Sequence, residues 1–208
     1  TTTLLSSYLK DLKFNIFLTT NEFVTIANNF YTFWRISQEN TLQYQHGDLE
    51  LIKSKKEDLV ITCLEFTPPL SLTCTILLIL GLKSGELLCI DSKTNTIVLI
   101  INPNSEINNL YNVNNNDYNN NKFFSNLRKN KNNHEVSKIF CGFSYFIIVV
   151  GEKLRYYQLP SLRDIKHDNL NFLTNEEKEI SFDSEICSVD FDLARSLGML
   201  RTKLGKIY

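Results

Sequence analysis

From Phe14 onward the chain reads as short runs rich in Val, Ile, Phe, Tyr and Thr, broken by clusters of Asn, Gly, Asp, Ser and Lys. β-Branched and aromatic side chains fit a pleated, half-buried surface and the polar clusters supply turn chemistry, so the pattern predicts consecutive β-strands. The opening differs. Leu4, Leu5, Tyr8, Leu9 and Leu12 fall at helix-like spacing, which fits either one short amphipathic helix or the approach to a strand. Residues 1–13 are read as a lead-in segment and residues 14–208 as one all-β unit.

Aligned on one another, the runs form a weak repeat of three or four copies. The second is the clearest: Val60 to Phe66, a Pro-containing connection, Thr75 to Leu80, the turn Gly81-Leu82-Lys83-Ser84-Gly85, Glu86 to Ile90 with Asp91, and Thr96 to Ile101. Four strands in about forty residues is the size of one propeller blade. A third copy runs Val136 to Cys141, Tyr145 to Val150, Gly151-Glu152-Lys153 and Leu154 to Leu159. A fourth takes Ile186 to Phe191, Leu197 to Thr202 and Leu204 to Tyr208, and a first fits Glu22 to Ala27, Asn28-Asn29, Phe30 to Ile36 and a polar outer strand near Leu42 to Leu49. A four-stranded blade has two apolar faces that it cannot cover alone, so neighbours stack and share a core. The expected fold is a partial β-propeller of three to four degenerate blades, where a complete ring commonly has about seven. The chain opens Thr1-Thr2-Thr3 without an initiator Met and stops at Tyr208 within a predicted strand, so it reads as a piece of something longer.

Between the second and third copies, residues 102–133 are about half Asn, including Asn114-Asn115-Asn116 and Asn119-Asn120-Asn121. Such a tract buries too little apolar area to offset its ordering entropy and is predicted to be a disordered insertion between blades. Phe123-Phe124 and Arg128-Lys129-Asn130-Lys131 within it have the composition of a docking motif, although a solvated insert is the simpler reading.

Composition narrows the function. A 43% hydrophobic content supports a real core, and a net charge of -1 removes the electrostatic argument for nucleic acid or an anionic membrane as partner. The apolar runs Thr75 to Leu82 and Ile97 to Ile101 are far shorter than the roughly 20 residues of a membrane helix. The five cysteines, Cys63, Cys74, Cys89, Cys141 and Cys187, are odd in number, widely spaced and without a CxxC, which predicts buried free thiols in a reducing, cytoplasmic compartment. The absence of any Asn-x-Ser/Thr acceptor agrees with this.

Candidate chemistry is sparse. His46, His134 and His167 each lie in a polar, loop-like segment without a neighbouring ligand in sequence, so no metal site is assigned. No nucleophile sits in a G-x-S-x-G turn. Gly81-Leu82-Lys83-Ser84-Gly85 has a Lys-Ser pair between two glycines, but a P-loop needs four residues between its glycines and a helix after them, so this is a β-turn. Glu57-Asp58 and Glu176-Glu177 sit beside lysines and read as solvated loops. Phe30, Tyr31, Phe33 and Trp34 could stack nucleobases, yet alternation along a strand puts half of them in a core, and Trp34 is expected to be substantially buried. No residue receives a catalytic, cofactor-binding or metal-ligating role, no cofactor is expected, and partner-binding residues are left unassigned. The candidate inner strands Ile61 to Phe66 and Ile186 to Phe191 are mainly apolar with scattered acids, which weighs against an enzyme lining a polar channel.

Gly85-Glu86-Leu87-Leu88-Cys89-Ile90-Asp91 resembles the WD40 strand that ends in Trp-Asp, with Ile90 at the Trp position. Phe33-Trp34-Arg35, Tyr156-Tyr157-Gln158 and Lys206-Ile207-Tyr208 occupy the equivalent places, and the Gly-His pair of well-formed repeats is missing. Glu22 to Ala27 with Phe33 to Ile36, Ile61 to Phe66, Leu80 to Glu86 and Leu154 to Leu159 together resemble axonemal and centriolar WD-repeat proteins, including the echinoderm microtubule-associated protein-like family. That resemblance implies a non-enzymatic scaffold in a large complex on the cytoskeleton of a cilium or centriole, docked on tubulin or associated proteins. The alternative is a WD40 scaffold of another assembly: a vesicle coat, an RNA-processing complex or a ubiquitin-ligase adaptor.

Overall fold

The computed structural model describes residues 9–17, 21–47, 49, 59–69, 76–101, 111–112, 134–142, 145–158, 176–192 and 197–208. Every regular element among them is a β-strand, and no helix is long and apolar enough to cross a membrane. The first sheet holds β1 (Asp11–Phe14), β2 (Glu22–Ile26), β3 (Tyr31–Ile36) and β4 (Leu42–His46), antiparallel and in sequence order. The second holds β5 (Ile61–Phe66), β6 (Leu77–Leu82), β7 (Leu87–Asp91), β8 (Thr96–Ile101) and β9 (Tyr111–Asn112). The third holds β10 (Val136–Cys141), β11 (Tyr145–Val150), β12 (Lys153–Gln158) and β13 (Glu176–Ser181). The fourth pairs β14 (Ile186–Asp192) with β15 (Leu197–Thr202), and Tyr208 exchanges backbone hydrogen bonds with Leu200 at 3.0 and 3.2 Å, the start of a third strand. Four blades therefore follow one another, each a meander.

Several expectations need correction. The first blade has an inner strand, β1, that the repeat alignment lacked, and the division drawn after residue 13 falls inside it. Glu176-Glu177, read as a loop, open the outer strand β13, held to β12 by backbone pairing from Lys153↔Ser181 to Tyr157↔Glu176. Within the Asn-rich tract Tyr111 and Asn112 form a strand on Ile100 and Leu99; the remaining residues of the tract, with Glu57-Asp58, Cys74 and His167, lie outside the described residues. Of the segment that fits a helix, Leu4, Leu5 and Tyr8 also lie outside them.

Three apolar seams join the blades. Val24, Ile26 and Tyr31 of the first pack on Leu64, Phe66, Leu78, Leu80 and Ile90 of the second, with Leu49 filling the seam beyond the end of β4. The opposite face of the second blade meets Ile139, Phe146, Ile148 and Tyr157 of the third, where the Phe146 and Tyr157 rings stack at 4.6 Å. Ile147, Val149 and Leu154 then cover Ile186, Val189 and Leu200 of the fourth. Strands buried on both faces explain the unbroken apolar stretch Leu77 to Leu82, which alternation alone leaves without an assigned face.

Two local devices recur. In blades two to four the turn after the second strand carries a glycine at positive φ, Gly85 (94°), Gly151 (60°) and Gly205 (81°), a conformation that L side chains resist. The inner strands β5, β10 and β14 each shift register at their second residue, a β-bulge at Thr62, Ser137 and Cys187. There a small side chain donates to a carbonyl of the adjoining strand: Thr62 Oγ1 to Gly81 O at 3.0 Å, Ser137 Oγ to Val149 O at 3.3 Å and Cys187 Sγ to Arg201 O at 3.2 Å. The Thr62 hydroxyl, with one hydrogen to give, also lies within reach of Val136 O of the third blade.

Candidate protein-docking surfaces

The first blade has one covered and one open face, because alternation sends Val24, Ile26, Tyr31 and Phe33 into the seam and their neighbours outward. On the outward side Phe14, Phe23, Trp34 and Tyr44 are successive cross-strand partners, so they form one row across all four strands. The Phe23 and Trp34 rings stack at 6.0 Å, with Phe14–Phe23 at 5.3 Å and Trp34–Tyr44 at 5.4 Å. Phe14 and Tyr44 are 56% and 57% exposed. Trp34 is more buried than exposed, as expected, but its cover is Phe23, Tyr44 and Thr25 of its own blade and not a neighbouring blade among the described residues. Its indole N–H donates to Thr25 Oγ1 at 2.8 Å, and Glu22 pairs with Arg35 at the rim. At the other end of the stack the outward side of β15 presents Leu197 and Met199, 63% and 61% exposed, beside Asp190 and Arg201.

The inner edge is polar. β1, β5 and β10 lie side by side there. Lys13 Nζ meets Glu65 Oε2 at 2.9 Å, and Lys10 Nζ donates to Ile61 O at 2.9 Å. Burial works to lower the Lys13 pKa, but the Glu65 carboxylate outweighs it and holds the ammonium above its ordinary value. This pair fastens the inner strands of two blades.

His46 and His134 take structural places among the described residues. His46 closes β4 and shares a 3.0 Å hydrogen bond with Thr32 Oγ1, so its assignment to a loop is corrected. His134 lies just ahead of β10 against Gly151, whose position a Cβ would contest at 2.9 Å from the ring. Tyr31 Oη donates to Asn95 Oδ1 at 3.0 Å and Asn95 Nδ2 donates to His46 O at 3.1 Å, a polar tie between the first two blades. Asp91, in the Asp place of the WD40-like strand, accepts the N–H groups of Lys93 and Thr94 at 2.8 and 3.2 Å and so caps the turn after β7.

Cys63, Cys89 and Cys141 are buried free thiols in the seam between the second and third blades. Burial pushes Cys63 and Cys89 up to about 12 and Cys141 well above its ordinary value, so none is a nucleophile at neutral pH. Cys187 departs from the expectation of burial and is exposed. Glu86 is 2% exposed, its carboxylate buried at the turn that opens β7. Burial raises its pKa; the Ser84 hydroxyl counters this in part. Among the described residues no three His, Cys, Asp or Glu side chains gather as a metal-ligand set. The sequence reading missed the open aromatic row, whose only signal is that Phe14, Phe23, Trp34 and Tyr44 fall on one side once the first blade is aligned from β1.

No protein-family model and no curated protein matches the chain. Among solved structures it is similar to the computationally designed Ika4 protein, with TM-score 0.56 and 11% identity over 98% of this chain and 90% of that one. It is also similar to the Myceliophteria thermophila Cps50 (Swd1) beta-propeller domain, with TM-score 0.63 and 10% identity over 95% of this chain and 54% of that one. The chain thus spans about half the length of that propeller domain. Successive antiparallel blades stacked through shared seams, together with this likeness, make the fold an all-β, partial WD40-like β-propeller.

Proposed function

We propose that the chain is a non-enzymatic protein-docking scaffold, a segment of a larger cytoplasmic WD-repeat protein that binds microtubules or their associated proteins in a cilium or centriole. The observation that carries the scaffold reading is the rigid stack of blades with an open aromatic face, an arrangement that offers preformed apolar anchors at little ordering cost. Three buried free thiols fit a reducing compartment. Support for the microtubule address is the resemblance of five short segments, from Glu22 to Leu159, to axonemal and centriolar WD-repeat proteins.

Co-sedimentation with taxol-stabilised microtubules, paired with imaging of the tagged protein, tests the address. Binding with a ciliary or centriolar location supports it; no binding and a diffuse location overturn it. Affinity purification tests the scaffold reading separately. Dominant vesicle-coat, RNA-processing or ubiquitin-ligase subunits would keep the scaffold and move its address, and the absence of any stoichiometric protein partner would overturn the scaffold.

A further inference from the structure

Blades in a stack cover one another's faces, while the outermost strand of each lies at the circumference, where no neighbouring blade reaches it. Edges of this kind are normally guarded, because their unpaired backbone groups recruit other strands. The second blade's edge at β8 is capped by β9, a segment of the same chain. The third blade ends in β13, Glu-Glu-Lys-Glu-Ile-Ser, whose charges discourage pairing. The first ends in β4, Leu-Gln-Tyr-Gln-His, which holds no Asp, Glu, Lys, Arg or Pro and is exposed along its whole length. Among the described residues no strand lies beyond it. The register says which of its groups are free. Ser37 N donates to Thr41 O at 2.9 Å and Gly47 N to Tyr31 O at 3.0 Å, so in the alternation of an antiparallel pair Gln43 and Gln45 spend their backbone groups on β3. Leu42, Tyr44 and His46 point theirs away from it, and of these only His46 O has a partner among the described residues, Asn95 Nδ2 at 3.1 Å.

We propose that β4 pairs with β4 of a second copy of this chain, antiparallel about a two-fold axis through Tyr44. In that register the strand is complementary to itself. Tyr44 faces Tyr44 of the second copy and exchanges both backbone hydrogen bonds with it, and each His46 N–H meets Leu42 O across the axis. On the opposite side of the strand Gln43 stands against Gln45 of the second copy, in non-hydrogen-bonded positions about 4.5 Å apart at Cα, where each primary amide can give and accept a bond. No charge opposes the pairing, which is where β4 differs from β13. Tyr44 is the last ring of the aromatic row Phe14, Phe23, Trp34 and Tyr44, so the row runs on from one copy into the next. A two-fold contact uses the same patch twice and stops at a dimer. A strand of five residues is about 17 Å long, too short to approach the roughly 1,000 Å² of a stable interface, so the expected dissociation constant is on the order of 10–100 µM.

Sedimentation equilibrium of the chain as it stands, between about 1 and 300 µM, reads the outcome. The mass should rise from the 24.1 kDa of one chain toward twice that value and no further. Gln43→Glu combined with Gln45→Glu sets like charges against each other across the axis and should weaken the dimer roughly tenfold, whereas Gln43→Lys combined with Gln45→Glu sets opposite charges there and should restore it. Both double variants alter exposed side chains and leave the aromatic row untouched, so a dimer built through that row would not respond to them. Tyr44→Pro removes an N–H that points away from β3, a change that edge strands tolerate, and should give a monomer with an unchanged circular-dichroism spectrum. A wild-type chain that stays monomeric, or that grows beyond a dimer, overturns the proposal. So does a dimer indifferent to the charges at Gln43 and Gln45. The scaffold reading is judged by other proteins and survives either result.

Discussion

Gly81 sits in β6 close against Val136 of the third blade, and a single methyl group placed there tests the seam. A Cβ built on Gly81 would stand 2.6 Å from Cys63 Sγ and 2.9 Å from Val136 Cγ1. Ordinary carbon contacts begin near 3.5 Å, so the methyl overlaps two neighbours at once by roughly 0.5 to 1 Å. Cys63 belongs to β5 of the same sheet, whereas Val136 opens the inner strand of the next, so relief requires the two blades to part. Val136 is wholly buried and β-branched, with little freedom at χ1, and cannot swing aside. Overpacking of this kind costs about 1–3 kcal/mol. Gly81→Ala should therefore lower the urea midpoint by roughly 1 M for a slope near 2 kcal/mol/M, or the melting temperature by about 2–4 °C per kcal/mol for a chain of this size. Cys63→Ala removes the nearer obstacle, so in that background Gly81→Ala should cost less by at least about 0.5 kcal/mol, while the overlap with Val136 keeps part of the penalty. A loss below about 0.5 kcal/mol in the wild-type background, or an identical loss in both backgrounds, would refute the close approach of β6 to β10.

Other consequences can be measured on the same material. Glu86 has its carboxyl pKa raised from 4.5 by burial, so folding penalises its charged form: the penalty is absent below about 4.5, grows as pH rises through the folded pKa and is constant above it. Glu86→Gln should accordingly be more stable than wild type by about 1 kcal/mol at pH 7, with the gap closing toward pH 4; a gap independent of pH would contradict the burial of a chargeable group. Tyr31→Phe removes the hydroxyl that donates to Asn95 and should cost about 1 kcal/mol in chemical denaturation, whereas a neutral result would show that the tie between blades contributes nothing. In the native protein Cys187 should be alkylated at pH 8 well before Cys63, Cys89 and Cys141, as read by peptide mass spectrometry, because among the described cysteines it alone is exposed while the other three are buried with thiol pKa values raised by that burial. Thr62→Val keeps the shape and deletes the bulge donor, and should cost about 0.5–1.5 kcal/mol; equal stability would remove the bulge from the account of the seam.

Most strands were legible because their apolar residues are β-branched or aromatic and their turns carry Gly, Asn or Asp, as in Val60 to Phe66 or Tyr145 to Val150. β1 was not. Asp11-Leu12-Lys13-Phe14 is too short for its alternation to outweigh the helix-like spacing just before it, and its pairing with β2 is what makes it a strand. β13 hides for another reason: Glu-Glu-Lys-Glu-Ile-Ser has poor β-propensity, and position supplies what composition lacks. There Glu179 lies between Lys153 and Arg155 at 2.7 and 2.9 Å, and the Lys153 ammonium, with Arg155, holds its carboxyl below the usual range. The exposure of Phe14 and Tyr44 could not be read locally, since they alternate with the covered residues of their blade as in any strand. Tyr111 and Asn112 show the same limit, two residues within an Asn-rich tract given order by the edge of β8.

The bulge residues say something about how such a protein can drift. Thr62, Ser137 and Cys187 share no identity, yet each places a donor within hydrogen-bond distance of a carbonyl on the adjoining strand from a side chain small enough to sit over a bulge. The grammar of this repeat is thus written in donors and sizes, with the letters free to change, while Ile90 can stand where the WD40 signature has Trp. Repeats of the same lineage would be recognised by a β-branched residue, then a small donor, then a positive-φ glycine 14 to 23 residues on, as in Ile61-Thr62 with Gly85, Val136-Ser137 with Gly151 and Ile186-Cys187 with Gly205. A search built on that grammar would find blades that a search for Trp-Asp passes over.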